Sequence, residues 1–402
     1  MNRVRQLVAR YPRQFWLLFG GMLISASGQS MVWPFLTIYM RQRLDVSLTT
    51  VGLLLACSSG ARLVATFVAG PIVDRLGRKG VMEVSLSASA LVYAAMGGAS
   101  SPAAWVLLMI ANGSLAPLYR VGSDAMVADL LPSEKRAGAY ALLRMGNNVG
   151  IAIGPAVGGF LAATSYGWTF AAAAASSLAF ALITLFLVAE TLPQAGGQRV
   201  DMSPLATYHT LLHDRLFLIY CLIFTLAVVP ASLLMVLLPV YAKEQYGVVE
   251  SQYGFIMATN AVMVVLFQYP ITSVTRRYPS LPVMAAGALF YAFGVGSVAL
   301  GHGFWAFWLS MVILTLGEMM LVPTGTTLAA NLAPPDQRGR YMGVYSLTWS
   351  LGIGLGPAIG GFLSDQLAPV AIWYGGLAFG LVATLAFLLL SRWLEEPTGK
   401  AA

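Results

Sequence analysis

From Phe15 to Trp393 the chain is divided, with short polar interruptions, into apolar stretches of about 20 to 28 residues, each long enough to cross a hydrocarbon core of roughly 30 Å as a helix. No other feature limits the fold so sharply. In lipid the backbone N–H and C=O groups find no water and must pair within their own segment, which leaves a bundle of spanning helices. Twelve spans are expected, at residues 15–40, 46–73, 80–98, 103–131, 137–163, 166–190, 215–242, 250–274, 281–300, 303–332, 339–364 and 369–393. Only 10% of the residues are charged, against about 25% in soluble domains, so the expected class is an all-α integral membrane protein.

The basic start, with Arg3, Arg5, Arg10 and Arg13, precedes an apolar run too long for a signal-peptide core, and no small-residue cleavage site follows. An uncleaved first helix is expected. The net charge of +7 could suggest a nucleic-acid partner, but the basic residues are segregated by membrane side instead of gathered in one patch. With the N-terminus inside, only Arg41, Arg43 and Lys243 fall on outer segments, so both termini are expected in the cytoplasm of a multi-pass inner-membrane protein that binds no nucleic acid. Cys57 and Cys221 lie within the second and seventh spans and support neither a disulfide framework nor a metal pair. Of the three histidines, His209 and His213 are spaced four apart, but two ligands fall short of a metal site, and none stands in a catalytic motif. No metal, cofactor or enzymatic activity is expected.

The sequence also repeats itself. "ADLLPSEKRAGAYALLRMGNNVGIAIGPAVGGFL" from Ala128 aligns without a gap with "ANLAPPDQRGRYMGVYSLTWSLGIGLGPAIGGFL" from Ala330, at a constant offset of 202 residues. That is half the chain. The expected organisation is two six-helix bundles, residues 1–190 and 215–402, joined by a polar cytoplasmic linker over 191–214. Parallel repeats of this kind are one of the transporter plans, with the site near the midplane between the halves.

"GPIVDRLGRKG", Gly70 to Gly80, joins the second and third spans and fits G-x-x-x-D-R-x-G-R-K without a mismatch. Over essentially Phe15 to Trp393 the chain resembles the major facilitator superfamily, whose loop between helices 2 and 3 carries that signature. The resemblance implies the two-bundle fold and a charge cluster in which Asp74, Arg78 and Asp129, supported by Arg75, Gly70 and Gly77, latch the two halves in the outward-facing state. Small residues would permit close helix approach there, and the carboxylates would meet a helix terminus and a guanidinium. "GNNVGIAIGPAVGG" on the fifth span sets Gly146, Gly150, Gly154 and Gly158 on one face for close packing, with Pro155 and Gly159 beside them. It is similar to the G-P-x-x-G-G motif of the drug:proton antiporter branch. That branch commonly has an arginine at the place of Met109, which is missing here. Arg120, Asp124 and Arg144 supply a different buried set, either a structural salt-bridge network or a substrate and proton site.

Glu318 stands in "SMVILTLGEMMLVPTG", near the middle of the tenth span, with no Lys or Arg within 15 residues on that span. Desolvation without a counter-charge favours the neutral acid, which then holds a proton when dry and releases it when water or a cationic substrate arrives. The segment is similar to the helix 10 stretch of multidrug antiporters, which has a glutamate just after a glycine. Glu318 is therefore the leading proton and substrate coupling residue, and Asp124 the second. Gln29, Trp33, Arg62, Arg120, Arg144 and Asn260 are the candidate cavity residues. The expectation is a proton-coupled exporter of lipophilic drugs, cations among them, working by rocker-switch alternating access as a monomer among membrane lipids, with a proton gradient in place of a cofactor. Within the same fold the alternatives are a lipid or glycolipid flippase and a sugar or metabolite exporter. From another class, a transporter-like receptor would bind ligand without flux.

Overall fold

A computed structural model describes residues 9–192, 213–334 and 337–395. Most of the expected linker over 191–214, including His209, lies outside the described residues. Among these residues there are twelve long helices: α1 (Arg13–Leu44), α2 (Leu48–Leu76), α3 (Arg78–Gly98), α4 (Pro102–Leu130), α5 (Ser133–Thr164), α6 (Tyr166–Leu187), α7 (Arg215–Tyr246), α8 (Glu250–Thr275), α9 (Ser280–Ala299), α10 (Gly303–Leu332), α11 (Arg338–Gln366) and α12 (Ala371–Glu395). Eleven are long and apolar enough to cross a membrane. The remaining one, α5, has the length, but Asn147, Asn148 and its glycines dilute its apolar content. The protein is an all-helical, multi-pass membrane protein. The 3-10 turn at Trp33–Phe35 interrupts α1 where Pro34 cannot donate a backbone hydrogen bond.

The helices form two compact units. The first contains α1, α2 from Cys57, α3 to α6 and the first turns of α8 up to Ala258. The second contains Val46–Ala56, α7, the rest of α8 from Thr259, and α9 to α12. Each unit thus includes the opening turns of one helix from the other half of the sequence, where the sequence reading drew the boundary at the linker. In the first unit Phe15 and Leu18 of α1, Met82 and Leu86 of α3, Met126 of α4 and Phe180 of α6 meet in a common core. In the second unit the Asp365 carboxylate, near the end of α11, accepts hydrogen bonds at the start of α2 from Thr49 N (2.7 Å) and Leu48 N (3.3 Å). It thereby caps that helix's open N–H groups.

The glycine face of α5 has a clear structural purpose. A Cβ on Gly150 would lie 3.0 Å from the Leu23 carbonyl oxygen, one on Gly154 would lie 2.7 Å from that of Ser27, and one on Gly158 would lie 2.7 Å from Met31 Cα. The spacing of four on α5 is matched by four on α1, so the two helices run parallel with their backbones in direct contact. Ser30 Oγ fastens the seam by donating to the Gly150 carbonyl at 3.1 Å. The second unit repeats it at the same offset of 202: Ser232 Oγ of α7 donates to the Gly352 carbonyl of α11 at 3.0 Å. Gly159 and Pro155 pack instead against the start of α8, where a Cβ on Gly159 would sit 2.7 Å from the Glu250 carbonyl oxygen.

Candidate functional site

Three polar clusters stand among these apolar helices. The first lies where α2 gives way to α3. Gly77 adopts φ +92°, a conformation only glycine enters freely, and it turns the chain so that α3 begins at Arg78. Arg78 Nε donates to Asp129 Oδ2 at 3.1 Å, and its Nη2 lies 3.3 Å from Asp74 Oδ1. Exposure ranks the two pairs: the Asp74 side chain is 60% exposed and that of Asp129 only 24%, so water weakens the first far more than the second. Thr191 Oγ1 donates to the same Asp129 oxygen at 3.0 Å. The sequence thus located Asp74, Arg78 and Asp129 as neighbours, but the bonds they make here all lie within the first unit. Two of the supporting residues do not join in. Arg75 is exposed, and a Cβ on Gly70 would meet nothing within 4 Å, so close helix approach is not the reason for a small residue there.

A further member of this cluster escaped the sequence reading. The Glu190 carboxylate caps the N-terminus of α3, accepting from Arg78 N (3.1 Å) and Lys79 N (3.0 Å), and it also accepts from Thr191 N (2.8 Å) and Leu192 N (2.9 Å). Partial burial pushes its carboxyl up, but these four N–H donors outweigh that and hold it below the ordinary carboxylate range. A depressed carboxyl contributes stability above its unfolded pKa and loses it as the pH falls through the folded value. The docking of α3 on Glu190 is therefore expected to loosen as the pH falls into the acid range. Glu190→Ala should speed hydrogen exchange at the Arg78 and Lys79 amides by about tenfold at neutral pH, read by mass spectrometry, as expected for removing a charged cap. Unchanged exchange at both amides would rule the cap out.

The second cluster surrounds Glu318 on α10. Asn260 Nδ2 of α8 donates to Glu318 Oε2 at 2.8 Å and to Thr315 Oγ1 at 2.9 Å, and Thr315 donates in turn to the Met311 carbonyl at 2.7 Å. Among the described residues no basic side chain forms an ion pair with Glu318. Asn260, expected in a substrate cavity, is thus the partner of the acid. Thr315 was overlooked, although it precedes Glu318 by three residues and so shares its helix face.

The third cluster is a cavity of about 450 Å³ in the first unit. Arg120, Ser123 and Asp124 of α4 and Arg144, Asn147 and Asn148 of α5 line it. Tyr140 Oη closes one edge by donating to the Asp124 carbonyl at 2.9 Å. Arg120, Asp124 and Arg144 are therefore brought together as the sequence suggested, with the Asn147–Asn148 pair beside them, but all three are exposed and not the buried set expected, because they line an open cavity instead of a packed helix contact. Gln29, Trp33 and Arg62 do not line this cavity. Gln29 Nε2 donates within its own helix to Ser25 Oγ at 2.9 Å, and Trp33 is half-buried in the 3-10 turn. Arg62 is exposed.

Among the described residues, twelve long helices with a duplicated glycine–serine seam carry isolated polar clusters on apolar spans. A profile described as Major Facilitator Superfamily matches residues 18–248 and 221–402. The chain belongs to that superfamily. Among its relatives, the multidrug resistance protein MdtH of Klebsiella pneumoniae (strain 342) is 26% identical, covering 100% of this chain and 98% of its own length. The Na(+), Li(+), K(+)/H(+) antiporter of Planococcus maritimus is also 26% identical, over 89% of each chain. Among solved structures, the nucleoside transporter NupG superposes with a TM-score of 0.78 at 16% identity, covering 96% of this chain and 100% of its own. That likeness concerns the fold alone. As a major facilitator transporter, the protein moves a small-molecule substrate.

Proposed function

We propose that the chain is a proton-coupled antiporter that exports a lipophilic compound across the inner membrane, with both termini in the cytoplasm, by rocker-switch alternating access. The observation that carries this reading is Glu318. It is a lone carboxylate on a spanning helix, held by the Asn260 amide and by no basic side chain among the described residues. Such a group is expensive in a membrane unless it works, and a proton is the simplest partner for it. The name of one relative, a cation/proton antiporter, supports exchange, and that of another, a multidrug resistance protein, supports drugs as cargo. Asp124 is the second coupling candidate. The Asp74, Arg78 and Asp129 cluster, with Glu190 added, is the element proposed to hold one conformation and release it in another, a two-state device of the kind switching requires. The monomer suffices for this scheme, and the proton gradient supplies the driving force.

The test is flux in proteoliposomes loaded with a lipophilic dye. Imposing a pH gradient should drive the dye against its own concentration gradient, and a protonophore should stop it. Saturable binding without proton-driven movement would point to a receptor and remove the antiporter reading. The flippase alternative draws on a specific observation, the arginine-lined cavity of the first unit.

A further inference from the structure

We propose that the cavity between α4 and α5 binds an oxyanion on the cargo, so that the transported compounds are lipophilic molecules bearing one carboxylate or phosphate. This rests on the exporter reading above and turns its expected preference for cations around.

Depth and charge carry the inference. Arg120 lies ten residues before the end of α4 at Leu130, and Arg144 lies eleven after the start of α5 at Ser133. At about 1.5 Å per residue both guanidinium-bearing positions sit roughly 15 Å along their helices from the turn that joins α4 to α5. Two arginines face one aspartate, which leaves a positive charge uncompensated. Among the described residues neither guanidinium forms an ion pair or hydrogen bond with a carboxylate. Both arginines are exposed, so their guanidinium groups are open to a ligand, and a carboxylate or phosphate fits a guanidinium fork with two parallel hydrogen bonds. A second observation is independent of charge. Ser123, only 3% exposed, lines the cavity with its Oγ buried and without a hydrogen-bond partner. The Asn147 and Asn148 amides add further donors. Met22 and Leu143 complete the wall with apolar surface suited to the body of an amphiphile.

The internal repeat separates function from scaffold here. At the offset of 202, Arg120 corresponds to Val322, Asp124 to Thr326, Arg144 to Ser346 and Asn147 to Trp349. The second half forms the same pair of helices with no charge at any of these places, so the fold does not require the basic set. Glu318 in turn corresponds to Ala116. The paired arginines stand in one half, with Asp124 beside them, and Glu318 stands alone in the other.

The experiment measures thermal stabilisation of the full chain in nanodiscs at a single pH with no gradient. The probes are octanoate, octyl phosphate, methyl octanoate, octyltrimethylammonium and inorganic phosphate. Octanoate and octyl phosphate should stabilise the protein, and half-saturation should rise about tenfold or more in Arg120→Gln and in Arg144→Gln, the cost of one charge-assisted contact. Asp124→Asn, which removes the opposing charge, should tighten octyl phosphate binding, an effect a misfolded variant cannot produce. Equal stabilisation by octyltrimethylammonium, wild-type binding in both arginine variants, or no tightening in Asp124→Asn would overturn the proposal. A response to inorganic phosphate as strong as that to octyl phosphate would make this a small-ion site and overturn the amphiphile class. Because no proton flux is involved, arginine-dependent binding combined with failed proton-driven export would remove the exporter reading alone.

Discussion

Replacing Glu318 by Gln should reduce pH-driven uphill export in proteoliposomes by about 100-fold, to background, while leaving cargo binding and equilibrium exchange within about threefold of the wild type. Glutamine keeps the geometry. Its carbonyl oxygen can still accept the 2.8 Å hydrogen bond from Asn260, so the α8–α10 contact survives. What it loses is the ability to take up and release a proton. Removing the donor instead, with Asn260→Ala, keeps the titratable group and takes away one hydrogen bond, so a partial loss of about tenfold is expected. Full proton-driven transport by Glu318→Gln would refute the assignment of the acid.

The second large effect is structural. Gly154→Val should abolish the yield of folded protein, read as the monodisperse fraction on size-exclusion chromatography. The added Cβ alone would come 2.7 Å from the Ser27 carbonyl oxygen and collide with Ser30 Oγ, the atom that fastens the seam. Backbone carbonyls cannot rotate out of the way, so α1 and α5 must separate, at a cost at or above the roughly 1–3 kcal/mol typical of overpacking. Gly356→Val, opposite Ser232 in the second unit, should behave alike. Gly70→Ala, with nothing within 4 Å of its Cβ, serves as the control and should fold normally. A well-folded Gly154→Val would show that the seam is looser than the backbone contacts imply.

The spans, the repeat and the loop signature were legible because each is written locally, in apolar length, in a fixed offset or in a run of eleven residues. Asp74, Arg78 and Asp129 followed from the family resemblance, and the structure does bring them together. Glu190 was missed because its bonds to α3 reach across about 110 residues and no local pattern marks a carboxylate that caps a distant helix. Asn260 is legible as a polar residue on a bundle helix, but its bond to Glu318 is not. Its actual partner depends on the rotation of α8 against α10, which apolar periodicity does not fix when nearly every face is apolar. Gln29 donates within its own helix to Ser25, a bond that polar-residue counting along a span does not reveal. Gly70 was read as a packing residue from its motif, whereas only Gly77, with its positive φ, has a conformational need that the structure exposes.

The paired seams, Ser30 on Gly150 and Ser232 on Gly352, also bear on how the molecule can move. Where α1 and α5 touch backbone to backbone no side chains are left to slide past one another, so that pair behaves mechanically as a welded beam, whereas the α11 glycines receive the Val228, Ser232 and Leu233 side chains of α7. Whatever displacement accompanies a transport cycle has to be absorbed at helix ends, in connecting turns and along side-chain-lined contacts, leaving α1 with α5 as the stiff member about which the softer joints bend.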